Sequence, residues 1–210
     1  MNKLGDLSCN EFLTELASAA PAPGGGGGAA MAGALAAALA SMVANLTIGK
    51  EKFAEREPEV KELLKQAEAE RVRLLQLADD DAAVFNSFMS CYKLPKTTDE
   101  EKAARTAAIR AAAKQAATVP LNIARSSFAV LKLADRLVVS GNPGVITDGA
   151  CSGLLARAAL RCAEYNVRIN LGLTKDEEWN AHVAAELVQL LTEAETLENR
   201  LLAVTDKALQ

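Results

Sequence analysis

Apolar residues recur along this chain at spacings of three and four, the period of helices with one buried face. Val60, Leu63, Leu64, Ala67, Leu74, Leu77, Ala78, Phe85 and Phe88 trace one such stripe. Pro58 sits where that helix would start, and Leu94-Pro95 would end it. Thr98 and Glu101 form a capping box for a next helix, which Pro120 is expected to kink or divide before it runs on to about Val139. Gly141-Asn142-Pro143-Gly144 reads as a turn, and Thr147 and Asp148 open a helix through Tyr165. Thr174 with Glu177 is a second capping box. Val183, Leu187, Leu190, Leu191, Ala194, Leu197 and Leu201 then mark a final amphipathic helix. At the start of the chain Ser8 or Asn10 caps a short helix through Ala17. No stretch alternates with period two, no segment repeats and no linker interrupts. The pattern predicts an all-α fold, a single multihelical bundle over residues 1–210.

One segment is not amphipathic. Pro21-Ala22-Pro23 leads into five consecutive glycines, Gly24 to Gly28, and no charge follows until Lys50. Ala29 to Ile48 is alanine, leucine, methionine and valine with a few small polar residues, and Gly49 suits a carboxyl-terminal cap. A helix apolar all round is a central one that its neighbours approach closely. It is also long enough to span a membrane, but it is alanine-rich, carries Gly33, Ser41, Asn45 and Thr47, and has no companion segment, so no membrane is expected. Glu11 and Glu15 do not fit a signal peptide, and a cytoplasmic protein is expected. The glycines read as a loop feeding this helix, with bare backbone N–H groups that suit an anion or a polarised oxygen.

Charge and composition narrow the partners. A net charge of −4 disfavours nucleic acid, and 4% aromatics leaves little for stacking bases. Cys9, Cys91, Cys151 and Cys162 have no metal or redox spacing, and a single histidine, His182, makes a zinc site unexpected. The cysteines read as reduced, buried thiols.

Asp81 stands out. On a helical wheel Leu74, Leu77, Ala78, Val84, Phe85, Phe88 and Tyr92 all fall within about 60° of it, whereas Asp79 and Asp80 point away. A carboxylate in an apolar stripe is desolvated, which raises its pKa toward neutrality and suits proton transfer. The competing role is structural, as partner to a buried cation or as a helix cap. Lys50 and Lys52 are either a cationic pair near the glycines or solvated lysines at a helix end. Ser41 and Asn45 share a face of the central helix. Asp148 suits a cap or a ligand contact, as do Asn166 and Asn170 at the end of the helix that Asp148 opens.

Several blocks in order resemble the cyclodeaminase/cyclohydrolase family of folate enzymes. They are Pro21-Ala22-Pro23-Gly24-Gly25-Gly26, Ser41 to Lys50, Asp81-Ala82 with Phe85, Leu94-Pro95-Lys96, Val119-Pro120-Leu121, Gly141-Asn142 with Thr147-Asp148, and Asn166 with Ile169-Asn170. The resemblance covers nearly the whole chain and looks closest to the stand-alone methenyltetrahydrofolate cyclohydrolases. It implies an all-helical homodimer that acts on a tetrahydrofolate derivative without metal or prosthetic group. It places the catalytic aspartate at Asp81; Lys50, expected to be catalytic with it, and Lys52 would neutralise either the proton-relay carboxylate or the glutamate tail of the substrate. The expected substrate contacts are Gly24, Gly25, Gly26, Asn45, Lys52, Asp148 and Asn170. The expected reaction is hydrolysis of methenyltetrahydrofolate to formyltetrahydrofolate. The alternatives are cyclodeamination of formiminotetrahydrofolate and a non-catalytic folate-binding scaffold. Two positions depart from the family pattern: Gly27, where serine is frequent, and Phe53, where tyrosine is.

Overall fold

A computed structural model describes residues 3–210. Six α-helices make up nearly all of them: α1 (Cys9–Leu16), α2 (Gly24–Asn45), α3 (Glu57–Cys91), α4 (Asp99–Ser140), α5 (Ile146–Thr174) and α6 (Glu177–Ala208). No strand occurs among the described residues. Short 3-10 turns lie at Leu4–Asp6, Glu51–Arg56 and Pro143–Val145.

Helix α2 is the axis of the bundle and packs against α3, α4 and α5. Ala30, Ala36, Ala37, Ala40 and Ala44 have no exposed surface, and their small side chains let the neighbouring backbones close in. The Ser152 hydroxyl of α5 donates directly to the Ala36 carbonyl at 2.7 Å. Gly33 faces Leu74 and Ser127, where a Cβ would sit 3.0 Å from each. The length and apolarity of α2 would let it cross a membrane (mean hydropathy 1.7), but most of that stretch is buried inside the bundle. Leu63, Leu74, Ile123, Leu131, Leu137 and Leu160 are fully buried around it, each contributing about 1.5–3 kcal/mol of burial free energy. Helix α6 covers α4 and α5, pinned by Arg125–Glu186, Arg157–Glu198 and Arg200–Asp135 ion pairs.

The capping box at Thr98 forms as expected, and of the two candidate caps for α1 it is Ser8 that serves, in a capping box with Glu11. Four expectations are corrected. The glycine run is not a loop: Gly24 begins α2, so the glycines are its first turns. Pro120 does not divide α4, which runs unbroken through it. Helix α5 continues past Tyr165 to Thr174, so Asn166 and Asn170 lie within it. Thr174 does not cap α6; the Asp176 carboxylate accepts the Trp179 N–H instead, at 3.0 Å.

The cysteines are free, but Cys9, Cys151 and Cys162 are exposed rather than buried. Cys151 and Cys162, eleven residues apart, share one face of α5.

Candidate active site

The amino-terminal turns of α2 meet the middle of α3 at Asp81. A Cβ added to Gly26 would lie 2.5 Å from the Asp81 Cγ, inside the space the carboxyl group occupies. Only glycine leaves that space, so a carboxylate rests directly on the backbone of the first helical turn. Two further glycines have separate reasons. Gly24 has φ +56°, a left-handed conformation that glycine adopts without strain. A Cβ on Gly27 would come within 2.8 Å of the Pro23 Cβ. The frequent family serine at Gly27 would therefore require Pro23 to move. Gly25 is less constrained: its Cβ would make ordinary contact with the Asn166 amide at 3.5 Å.

Asp81 forms no ion pair with any described lysine or arginine, so the structural alternative of a buried cation partner is not realised. Burial pushes its pKa up to about 6, against the opposing pull of the Gly27 backbone N–H. Its neighbours are occupied elsewhere. Asp79 accepts the Leu4 N–H at 2.6 Å and ties down the chain start, and Asp80 accepts from Gln76.

Asp81 lines a small cleft with Val84, Phe85 and Phe88 of α3, Ala116 of α4, and Asn166 and Asn170 of α5. The two amides are held by their N–H₂ ends. Asn166 donates to the Cys162 carbonyl, and Asn170 donates to the carbonyls of Ala116 and Asn166, all at 2.9 Å. The Ala116 carbonyl is available because Pro120, four residues on, has no N–H to give it. Pro120 thus creates the acceptor that anchors Asn170. With both Asn170 donors engaged, its Oδ1 remains a free acceptor. The polar lining is therefore a carboxylate and amide oxygens, a set that suits a ligand rich in N–H or O–H donors.

The structure groups Gly24, Gly25, Gly26, Asp81 and Asn170 at this end. It places Asn45, Lys50, Lys52 and Asp148 at the other end of α2, roughly 30 Å away along the helix. Lys50 and Lys52 are exposed and are not near the glycines within the chain. Asp148 does not cap α5; it lies in the first turn, where the helix dipole favours an anion. Asn142 ties the far end together, accepting from Gly144 and donating to the Leu46 carbonyl at 3.1 Å, while Thr47 accepts its backbone N–H at 2.8 Å. A larger cavity of about 490 Å³ lies there, lined by Lys52, Phe53, Arg56 and Pro143 among others. The cleft at Asp81 measures about 80 Å³. Among the described residues no three His, Cys, Asp or Glu side chains converge as metal ligands. Asn166 is the site residue that sequence reasoning named without assigning to the substrate. Sequence reasoning named Pro120 only as a helix breaker and part of a family block, and it did not name Ala116, since the carbonyl–amide link exists only once α4 and α5 are packed.

The family model described as formiminotransferase-cyclodeaminase matches residues 8–189. A methenyltetrahydrofolate cyclohydrolase of Methylorubrum extorquens is 45% identical over 94% of this chain and 95% of its own length. The formimidoyltransferase-cyclodeaminase of Sus scrofa is 34% identical over 88% of this chain, which spans about a third of that longer protein (34%). A crystal structure of a formiminotetrahydrofolate cyclodeaminase from Thermotoga maritima superposes with a TM-score of 0.88 over 98% of each chain, at 29% identity. With the family model matching most of its length, this chain belongs to the formiminotransferase-cyclodeaminase family.

Proposed function

We propose that this chain is a methenyltetrahydrofolate cyclohydrolase, adding water to the cationic amidinium carbon that bridges two folate nitrogens. The carrying observation is an unpaired carboxylate of raised pKa, seated on glycine backbone in a cleft of acceptor groups. The 45% identity to a cyclohydrolase over nearly the full chain supports the same reading. As water's oxygen bonds to the amidinium carbon, Asp81 takes one of its protons. It returns that proton to the departing nitrogen as the C–N bond breaks. The remaining hydroxyl proton leaves as the formyl carbonyl forms. Before reaction the ionised carboxylate also stabilises the cationic substrate. The oxygens of Asn166 and Asn170 accept hydrogen bonds from N–H groups of the pterin.

The site is completed by a second copy of the chain. A cleft of about 80 Å³ is too small to bury a folate, since ligand pockets run to roughly 300–1,000 Å³. The outer face of α2 carries exposed Leu35, Met42 and Leu46. Two copies packed antiparallel on that face bring the carboxyl-terminal end of one α2 to the amino-terminal end of the other. Lys50 of the partner subunit then reaches the substrate's side of the cleft, and Lys52 joins the substrate surface. A mixed dimer of Asp81→Asn and Lys50→Ala subunits tests this: one restored site per dimer gives activity that neither parent has. Mixed dimers as inactive as the parents would refute the shared site.

Cyclodeamination of formiminotetrahydrofolate is the second reading, favoured by the fold shared with the Thermotoga maritima enzyme. Purified protein is offered each substrate, with ammonia and formyl product measured in parallel. Preferential ammonia release would overturn the cyclohydrolase assignment, and tight folate binding without either product would favour a scaffold.

A further inference from the structure

Beyond the cleft, α3 and α4 continue as a two-helix hairpin past the end of α5. On α3 the residues Asp81, Phe85, Phe88 and Tyr92 fall at i, i+4, i+7 and i+11, one face of a helix. On α4, running the other way, Ala116, Ala112, Ile109 and Arg105 have the same spacing. Both stripes begin in the cleft, where Asp81 and Ala116 are lining residues, and both end together, where the Arg105 guanidinium lies 5.4 Å from the centre of the Tyr92 ring. Each covers about 16 Å of helix axis. Phe88 and Tyr92 meet edge to face at 5.3 Å between centroids. The four α4 residues, Asp81 and Phe85 are half-buried and Tyr92 is exposed, so the path is open along part of its edge, with Phe88 buried as its floor.

Arg105 is the unexplained group on this path. It donates one bond, to the Tyr92 carbonyl at 3.3 Å, and no described carboxylate lies within ion-pairing distance. Its Nε–H is buried without a partner, an unsatisfied donor on a permanent cation. Lys93 and Lys96, in the turn beyond, are also exposed and in no described ion pair. The acidic residues nearby, Asp99, Glu100 and Glu101, open α4. Asp99 holds Lys102, and Glu101 closes the capping box.

From this geometry we infer that the Phe85–Phe88–Tyr92 stripe carries the aryl arm of the substrate and that Arg105 binds the carboxylate of its glutamate. The inference rests on the folate reading above and deepens it. Its logic is charge and shape: an aromatic face suits a p-aminobenzoyl ring, and a guanidinium with free N–H groups suits a carboxylate, bidentately. It also separates two tasks. Arg105 takes the tail, which leaves Lys50 to the reacting centre. Lys93 and Lys96 lie where additional glutamates of a longer tail would pass.

The test is equilibrium binding of 5-formyltetrahydrofolate and of its analogue lacking glutamate, 5-formyltetrahydropteroate, to the full-length protein. The wild type is expected to bind the glutamyl form about tenfold more tightly, the worth of a charge-assisted pair at a half-open site. Arg105→Ala removes that preference without changing affinity for the truncated analogue, and Arg105→Lys, which keeps the charge but not the fork, retains only part of it. Equal binding of both ligands by the wild type, or a preference that survives in Arg105→Ala, overturns the proposal. Because binding is read without turnover, loss of the cyclohydrolase reading would be seen separately, as an intact glutamate preference in a protein that hydrolyses nothing.

Discussion

Replacing Asp81 by asparagine removes one charge with little change of shape, and the structure predicts opposite effects on activity and stability. The carboxyl has an ordinary pKa of 3.8 and a folded value of about 6 because burial opposes ionisation. A carboxyl with a raised pKa weakens the fold once it ionises. The penalty is absent below about pH 4, where both folded and unfolded forms are protonated. It grows as the pH climbs from 4 to 6 and is complete above 6. A shift of about two units corresponds to roughly 3 kcal/mol. The carboxyl retains contact with solvent through the cleft, which reduces the expected cost to about 1–2 kcal/mol. Asp81→Asn is therefore predicted to be more stable than the wild type by about 1–2 kcal/mol at pH 7.5, or roughly 2–8 °C in Tm. The two proteins should be equally stable near pH 4. Denaturant titrations of both at pH 4, 5, 6 and 7.5 measure the difference directly. A constant difference across that range, or a variant less stable at pH 7.5, would refute the desolvated-carboxylate argument. The same substitution should lower kcat by about 10²–10⁴, the usual range for a lost general acid–base group.

Four other outcomes follow from the geometry. Gly26→Ala should cost at least tenfold in kcat, because its methyl occupies the Asp81 carboxyl position, while Gly25→Ala should be nearly neutral; steady-state kinetics compares them. The kcat/KM of the wild type should rise with pH through about 6 and then level, and a flat profile between pH 5 and 7 would argue against Asp81 as the base. Pro120→Ala should return an N–H to the Ala116 carbonyl and loosen Asn170, raising KM severalfold while leaving the melting temperature unchanged or higher. Glu164 is fully buried and held by Arg161 at 2.7 Å and Arg168 at 2.5 Å; removing both arginines should cost about 3–5 kcal/mol by urea denaturation, whereas Glu164→Leu should be far milder.

Local rules identified what local forces decide. Ser8 and Thr98 cap their helices through side chain and backbone alone, and α3 ends at Cys91, one turn before Pro95. Asp81 was legible for the same reason: its apolar neighbours are on its own helix. The helical state of the glycine run is not legible in sequence because each glycine costs a helix about 1 kcal/mol relative to alanine. That penalty is outweighed by needs set elsewhere, the Asp81 carboxyl against Gly26 and Pro23 against Gly27. Helix α5 outlasts its expected end because Asn166 and Asn170 donate to carbonyls one turn back rather than competing with the helix. Pro120 stays within α4 because Asn170, from another helix, satisfies the carbonyl it strands. The separation of Lys50 from Asp81 follows from the straight run of α2, which sequence resemblance brought together in function without locating in space.

The most direct measurement is the near-ultraviolet absorbance of methenyltetrahydrofolate, followed after adding wild-type protein or Asp81→Asn at the same concentration. The account predicts rapid, protein-dependent decay with the wild type and decay near the buffer rate with the variant, which remains folded. Wild-type decay no faster than buffer would contradict the assigned reaction, and equal decay with the variant would remove Asp81 from its centre.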